Sequence, residues 1–162
     1  LADAIDAPFV SDHLCWSASQ GARHHDLLPT PYTPELVELA AARAAYVQAR
    51  LGRPFAVENL SSYVTFDASV MPEHAFFSAV VAQSGCHALL DINNVYVSSC
   101  NHGFDARAYL DAVDFGRVLE VHLAGHVVLD DGLRLDTHDQ PVCDAVWALY
   151  AYAWRQIGRA HV

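Results

Sequence analysis

"CHALLDINNVYVSSCNHGFD", residues 86–105, decides how the rest of the chain is read. Its first part, CHALLDINNVYV (86–97), is a nearly continuous apolar run preceded by Gly85. A strand apolar on both faces belongs in a parallel sheet covered by helices. Its tail then gathers Asp91, Asn93, Asn94, Asn101, His102 and Asp105. Polar groups at the carboxyl end of such a strand fall where parallel α/β sheets and barrels build their active face.

The flanking segments repeat the unit. Strands are expected in APFVSDHLCWS (7–17), PFAVENLSSYV (54–64), VLEVHLAGH (118–126) and LRLDTHDQ (133–140). Helices are expected in TPELVELAAARAAYVQARLG (33–52), MPEHAFFSAVVAQSG (71–85), DARAYLDAVD (105–114) and PVCDAVWALYAYAWRQIG (141–158). The first of these has Thr33 as N-cap, Pro34 at the first helical position and Gly52 as its stop. GARHHDLLPTPYT (21–33) carries several turn signals and is read as a loop. Trp147, Tyr150 and Trp154, three and four residues apart, are read as a core-facing stripe. Five strands alternating with helices give an α/β fold with one parallel sheet.

Composition narrows the function classes. In 162 residues, 53% are hydrophobic, enough for a buried core in one domain. The net charge of −10 opposes wrapping a phosphate backbone, so no nucleic-acid partner is expected. No apolar run approaches the 18 residues of a membrane span, and a cytoplasmic location is expected. Four cysteines stand apart without a CxxC pair, which excludes a zinc ribbon. Ten histidines against nine lysines plus arginines is the unusual feature. Histidine is the commonest metal ligand.

Ligand-type side chains recur at every expected strand end: His13, then Glu58, then Asp91 with Asn94, then Glu120, His122 and His126, then Asp136 and His138. Alternation along a strand puts Glu120 with His122, and Asp136 with His138, on a common side. One buried His or Asp is more often a satisfied core group than a ligand. Five strand ends carrying them have no such explanation. The imidazole–carboxylate mixture suits Zn, Fe or Mn better than Mg or Ca.

The segments SDHLCWS, HHDLLPTPYT, ENLSSYV, LLDINNVYVSSCNHGFDA, EVHLAGH and DTHDQPV together resemble the multinuclear non-haem iron oxidases that mature ribosomally made peptides. The resemblance spans nearly the whole chain. It implies a partial (β/α)8 TIM barrel, about five of eight strands, related to endonuclease IV and xylose isomerase. It implies two or three iron ions: His13 on the first, Glu58 bridging first and second, Asp91 and His122 on the second, Asp136 and His138 on a third beside Asn94. His126 and Asp139 become candidate catalytic groups. The implied reaction uses O2 as co-substrate to rearrange a cysteine of a precursor peptide, to an oxazolone–thioamide or related product. A leader-presenting partner protein, and hence a heterodimer, is implied as well. The competing expectation is a divalent-metal TIM-barrel hydrolase or isomerase, and a third is a scaffold that keeps the motifs without a complete site.

A complete barrel needs eight strands and about 250 residues. Residues 1–156 are therefore read as a truncated metal-binding barrel domain. The ending IGRAHV (157–162) is expected to be sequencing-adapter read-through, a reading that the source codons would decide. Open sheet edges are an aggregation hazard, so this chain by itself is expected to be no competent oxidase. Purified chain that held two or more irons stoichiometrically and turned over peptide with O2 would refute this.

Overall fold

A computed structural model describes residues 1–160. Residues 161–162, the end of the segment read as adapter-derived, lie outside the described residues.

The chain begins with β1 (Val10–His13) and then turns back on itself in a hairpin, β2 (Trp16–Ser19) and β3 (Ala22–Leu28). This corrects the loop expected at 21–33. Gln20 and Gly21 both take positive φ, 50° and 82°, the backbone that a two-residue hairpin turn requires. The chain continues through α1 (Pro34–Leu51), β4 (Phe55–Glu58), α2 (Glu73–Ser84), β5 (His87–Asp91), α3 (Ile92–His102) and α4 (Ala106–Asp111). It closes with β6 (Val118–His122), the two-residue strands β7 (Val127–Val128) and β8 (Arg134–Leu135), and α5 (Asp144–Ala160).

The caps of α1 are as expected. Thr33 accepts a hydrogen bond from the Leu36 amide, and Gly52 ends the helix with φ 61°. The stretch 86–105 divides differently. Its strand stops at Asp91, and Ile92–His102 is helical. The Asp91 side chain accepts from the Asn94 amide at 2.8 Å. This N-cap overrides the weak strand preference of Val95, Tyr96 and Val97.

One parallel sheet organises the molecule, in the order β1-β4-β5-β6. Its register pairs His13 with Glu58 and Asp91 with His122. The fold is thus α/β, with four parallel strands rather than five among the described residues. The expected fifth strand is replaced by β8, which pairs antiparallel with β7 in a separate ribbon. The arrangement is consistent with part of a barrel, and the described residues form no closed barrel.

Strand alternation separates two faces. Phe55, Val57, Ala88, Leu90 and Val118 pack into the main core with Ala44, Phe77, Val81, Tyr109, Leu110, Val146 and Leu149 from the helices. Glu58 and Asp91 alternate out of phase with these positions, and a register shift between β5 and β6 sets His122 beside Asp91, out of phase with Val121 and Leu123, which pack against the core. They turn to the opposite face, at the carboxyl ends of three adjacent strands. Helix α5 corrects another expectation. Val146, Leu149 and Ala153 face the core, while Trp147 and Trp154 are 47% and 60% exposed. Tyr150 and Trp154 lie beside the outer edge of β6 instead.

Glu73, the first residue of α2, carries a pH-dependent load. A helix N-terminus favours a carboxylate, yet burial pushes the Glu73 carboxyl up to about 7, opposed by the Tyr109 hydroxyl. That hydroxyl donates to Oε1 at 3.2 Å. The folded value lies above the ordinary 4.5, so the folded chain holds this proton more tightly. The resulting stabilisation is complete below about pH 4.5 and is lost as pH rises through about 7. Glu73→Gln is expected to remove this loss, making the variant more stable than the native chain by on the order of 2 kcal/mol at pH 8 but not at pH 4. Urea denaturation at the two pH values measures it; equal differences at both would contradict the assignment.

Candidate metal centre

Glu58 ends β4 and is 5% exposed. Its two carboxylate oxygens face two imidazoles: Oε2 lies 3.2 Å from His13 Nε2, and Oε1 lies 3.2 Å from His122 Nδ1. The other nitrogen of His122 lies 3.3 Å from Glu120 Oε1. Parallel pairing of β1, β4, β5 and β6 sets this row, because it brings the last residues of neighbouring strands to one rim.

Asp91, the last residue of β5, is fully buried. Its backbone is locked to Asn59: the Asp91 amide donates to Asn59 Oδ1 at 2.9 Å, and Asn59 Nδ2 donates to the Asp91 carbonyl at 3.0 Å. One carboxylate oxygen caps α3. The other, Oδ2, is buried with no hydrogen-bond partner. It lies 3.8 Å from His138 Nε2, which also lies 2.9 Å from Asp136 Oδ1. Burial pushes the Asp91 carboxyl up to about 6, and the negative charges of Asp136 and Glu58 raise it further, against the Asn94 amide and His138.

Asp136 and His138 reach this rim on a loop, not on a strand. His138 takes φ 55°, a left-handed conformation uncommon for a residue with a Cβ. Its amide donates to the Gly125 carbonyl at 3.2 Å. At Gly125 a side chain has no room, since a Cβ there would overlap the Gln140 carbonyl. The LAG segment after β6 and the 136–140 loop therefore touch backbone to backbone. Ser61 Oγ donates to Asp136 Oδ2 at 3.3 Å, and the Asp136 amide donates to the Tyr63 hydroxyl at 3.1 Å.

The structure thus joins His13, Glu58, Asp91, His122, Asp136 and His138 in one chain of contacts. Donor atoms of Glu58, Asp91 and His122 all lie within 4.8 Å of one another. Asn94 has a different place: its Nδ2 donates to the Asn59 carbonyl at 2.9 Å, and its Oδ1 is buried without a partner. Asn93 enters the site. Its Nδ2 donates to Asp136 Oδ1 at 2.6 Å, and its Oδ1 accepts from His126 Nδ1 at 2.9 Å. Helical rather than extended backbone after Asp91 sets these directions, because successive side chains turn by about 100° instead of 180°.

His126 is half-buried. Burial and then the Arg134 charge lower its pKa, against Asp136, which favours a neutral imidazole donating to Asn93. Asp139 is exposed; its carboxylate accepts from Thr137 Oγ1 and Gln140 Nε2, and the Thr137 bond holds it below the usual carboxylate range. These contacts join it to its own loop and not to the ligand row. Sequence reasoning missed Asn59, Asn93 and Gly125. Only their proximity to Glu58, Asp91 and His126 in the sequence marked them.

Three carboxylates and three imidazoles on one rim, with the buried Asp91 Oδ2 left unpartnered, fit a first-row transition metal. A buried carboxylate oxygen without a donor is costly, and a coordinated cation satisfies it.

The family described as "RiPP precursor modification enzyme MbnB/TglH/ChrH" matches residues 1–162. A UPF0276 protein of Caulobacter vibrioides is 53% identical over 158 residues, covering 98% of this chain and 56% of the relative. UPF0276 proteins of Rhizorhabdus wittichii and an Anaeromyxobacter species are 52% and 49% identical over 160 residues, with the same coverage. The chain therefore spans about half the length of the curated relatives it matches. No helix among the described residues is long and apolar enough to cross a membrane.

Proposed function

The chain belongs to the MbnB/TglH/ChrH family of RiPP precursor modification enzymes, and from that premise we propose that the whole protein is a multinuclear iron-dependent oxidase. Its substrate in this reading is a cysteine of a ribosomally made precursor peptide, O2 is the co-substrate, and a partner protein presents the peptide leader. The observation that carries the proposal is the pair of contacts made by Glu58, one carboxylate between His13 and His122. A carboxylate so placed would hold metal together with both imidazoles.

His13, Glu58, Asp91, His122, Asp136 and His138 are the residues that would hold the metals. When bound, iron supplies the one-electron chemistry and the Lewis acidity that peptide oxidation by O2 requires. The chain's own groups then have separable tasks. Asn59 fixes the Asp91 backbone and so the direction of its carboxylate. Asn93 orients both Asp136 and His126. His126, its pKa lowered by burial and by Arg134, holds the Nδ1 proton toward Asn93, and its Nε2 is assigned the role of proton acceptor. Asp139, on the exposed loop next to His138, is assigned the weaker role of an acid or base at the rim.

Anaerobic reconstitution of the protein at the length of its relatives, with iron and then with zinc, tests the reading. Two or more irons per chain and O2 consumption dependent on a cysteine-bearing precursor peptide are expected. Full activity with zinc alone on abasic DNA or a sugar would overturn it in favour of a hydrolase or isomerase.

A further inference from the structure

A second cavity lies apart from the metal residues, between the turn before α1, the 59–72 loop, the start of α2 and the α3–α4 corner. Its volume is about 280 Å³. Tyr32, Phe66, Met71, Phe104 and Tyr109 are among the residues that line it. Tyr109 is itself held in place, edge-on to His74 at 5.8 Å and stacked with Phe104 at 6.0 Å.

Glu73 brings a carboxylate into this apolar enclosure. Among the described residues its one side-chain partner is the Tyr109 hydroxyl. No lysine or arginine is among the lining residues, and the chain contains no lysine at all. Asp105 adds a second carboxylate at the wall, already occupied by the Arg107 amide at 2.8 Å. The imidazole of His102 is committed to Ser62. A largely buried carboxylate without a cationic partner costs stability, and an entering cation recovers it. Aromatic faces around the same space attract organic cations in addition.

We propose that this cavity binds an organic monocation, an alkylammonium or guanidinium group, with its charge against Glu73 and its stem against Tyr32, Phe104 and Tyr109. Neither the metals nor the oxidase reading enters this inference. The cation is either a free amine or the basic side chain of a peptide, and both present the same chemistry.

Calorimetric titration of the chain at pH 8, with a chelator present to exclude metal coordination, tests it. Butylammonium is expected to bind saturably, and 1-butanol, its neutral counterpart, at least about tenfold more weakly. Glu73→Gln is expected to abolish the difference. Nα-acetyl-lysine amide binding more tightly than butylammonium identifies a peptide side chain as the source; weaker binding identifies a free amine. Equal affinity for butanol and butylammonium in the native chain overturns the proposal, and so does undiminished butylammonium binding by Glu73→Gln. The first comparison decides even if the variant fails to fold.

Discussion

Asp91→Asn is expected to weaken binding of Co(II), used as a spectroscopic probe, by about 100-fold or more while leaving α3 folded. The two carboxylate oxygens of Asp91 have different duties: Oδ1 caps α3 through the Asn94 amide, and Oδ2 is buried without a partner. Asparagine keeps an oxygen for the cap but replaces an anionic donor with a neutral amide. Losing a group that merely orients a ligand costs 10–100-fold in affinity, roughly, so losing a ligand sets that upper figure as the floor. Asp91→Ala separates the duties further, because it removes the cap as well and is expected to cost about 1 kcal/mol more in folding stability. Absorption titration gives the affinity, and circular dichroism reports the helix. Native affinity in the asparagine variant would remove Asp91 from the metal site.

Gly125→Ala is expected to destabilise the chain by about 3 kcal/mol. A methyl group at this position would overlap the Gln140 backbone carbonyl, which cannot swing aside as the end of a flexible side chain could. Relief requires the 136–140 loop to move away from the segment after β6. That movement breaks the hydrogen bond from the His138 amide to the Gly125 carbonyl and carries His138 away from Asp91. A fall in melting temperature of roughly 6–12 °C is expected for a chain of this size, together with weaker metal binding. A variant within about 0.5 kcal/mol of the native chain would show that the two segments do not need their close approach.

The strand-end residues were legible in the sequence because their placement depends on topology alone. Parallel strands put their carboxyl ends on one edge, so the order of elements is enough to group His13, Glu58, Asp91 and His122. The segments beyond the strand ends were less legible. Val95, Tyr96 and Val97 have strand-like side chains, but the cap at Asp91 starts a helix in which Val95 and Val97 still find buried places. The alternation in LRLDTHDQ suggested a strand. Only Arg134 and Leu135 pair, and the chain bends through His138 to meet Gly125. Both errors are local, yet the first decides that Asn93 reaches Asp136 and His126. Non-local partners such as Asn59 and Gly125 carry no periodic signal, because their importance lies in one contact each.

The divided duty of Asp91 also bears on how such a protein can drift. Either aspartate codon becomes an asparagine codon through one nucleotide change. That single step preserves a hydrogen-bond acceptor for the helix while discarding the charge that the proposed metal site would need. Loss of chemistry and loss of fold are therefore uncoupled at this position, and a gene copy released from selection for catalysis can persist as a well-folded pseudoenzyme. In the relatives of this chain, an asparagine at the position of Asp91 would mark a lineage that has kept the scaffold and given up the reaction.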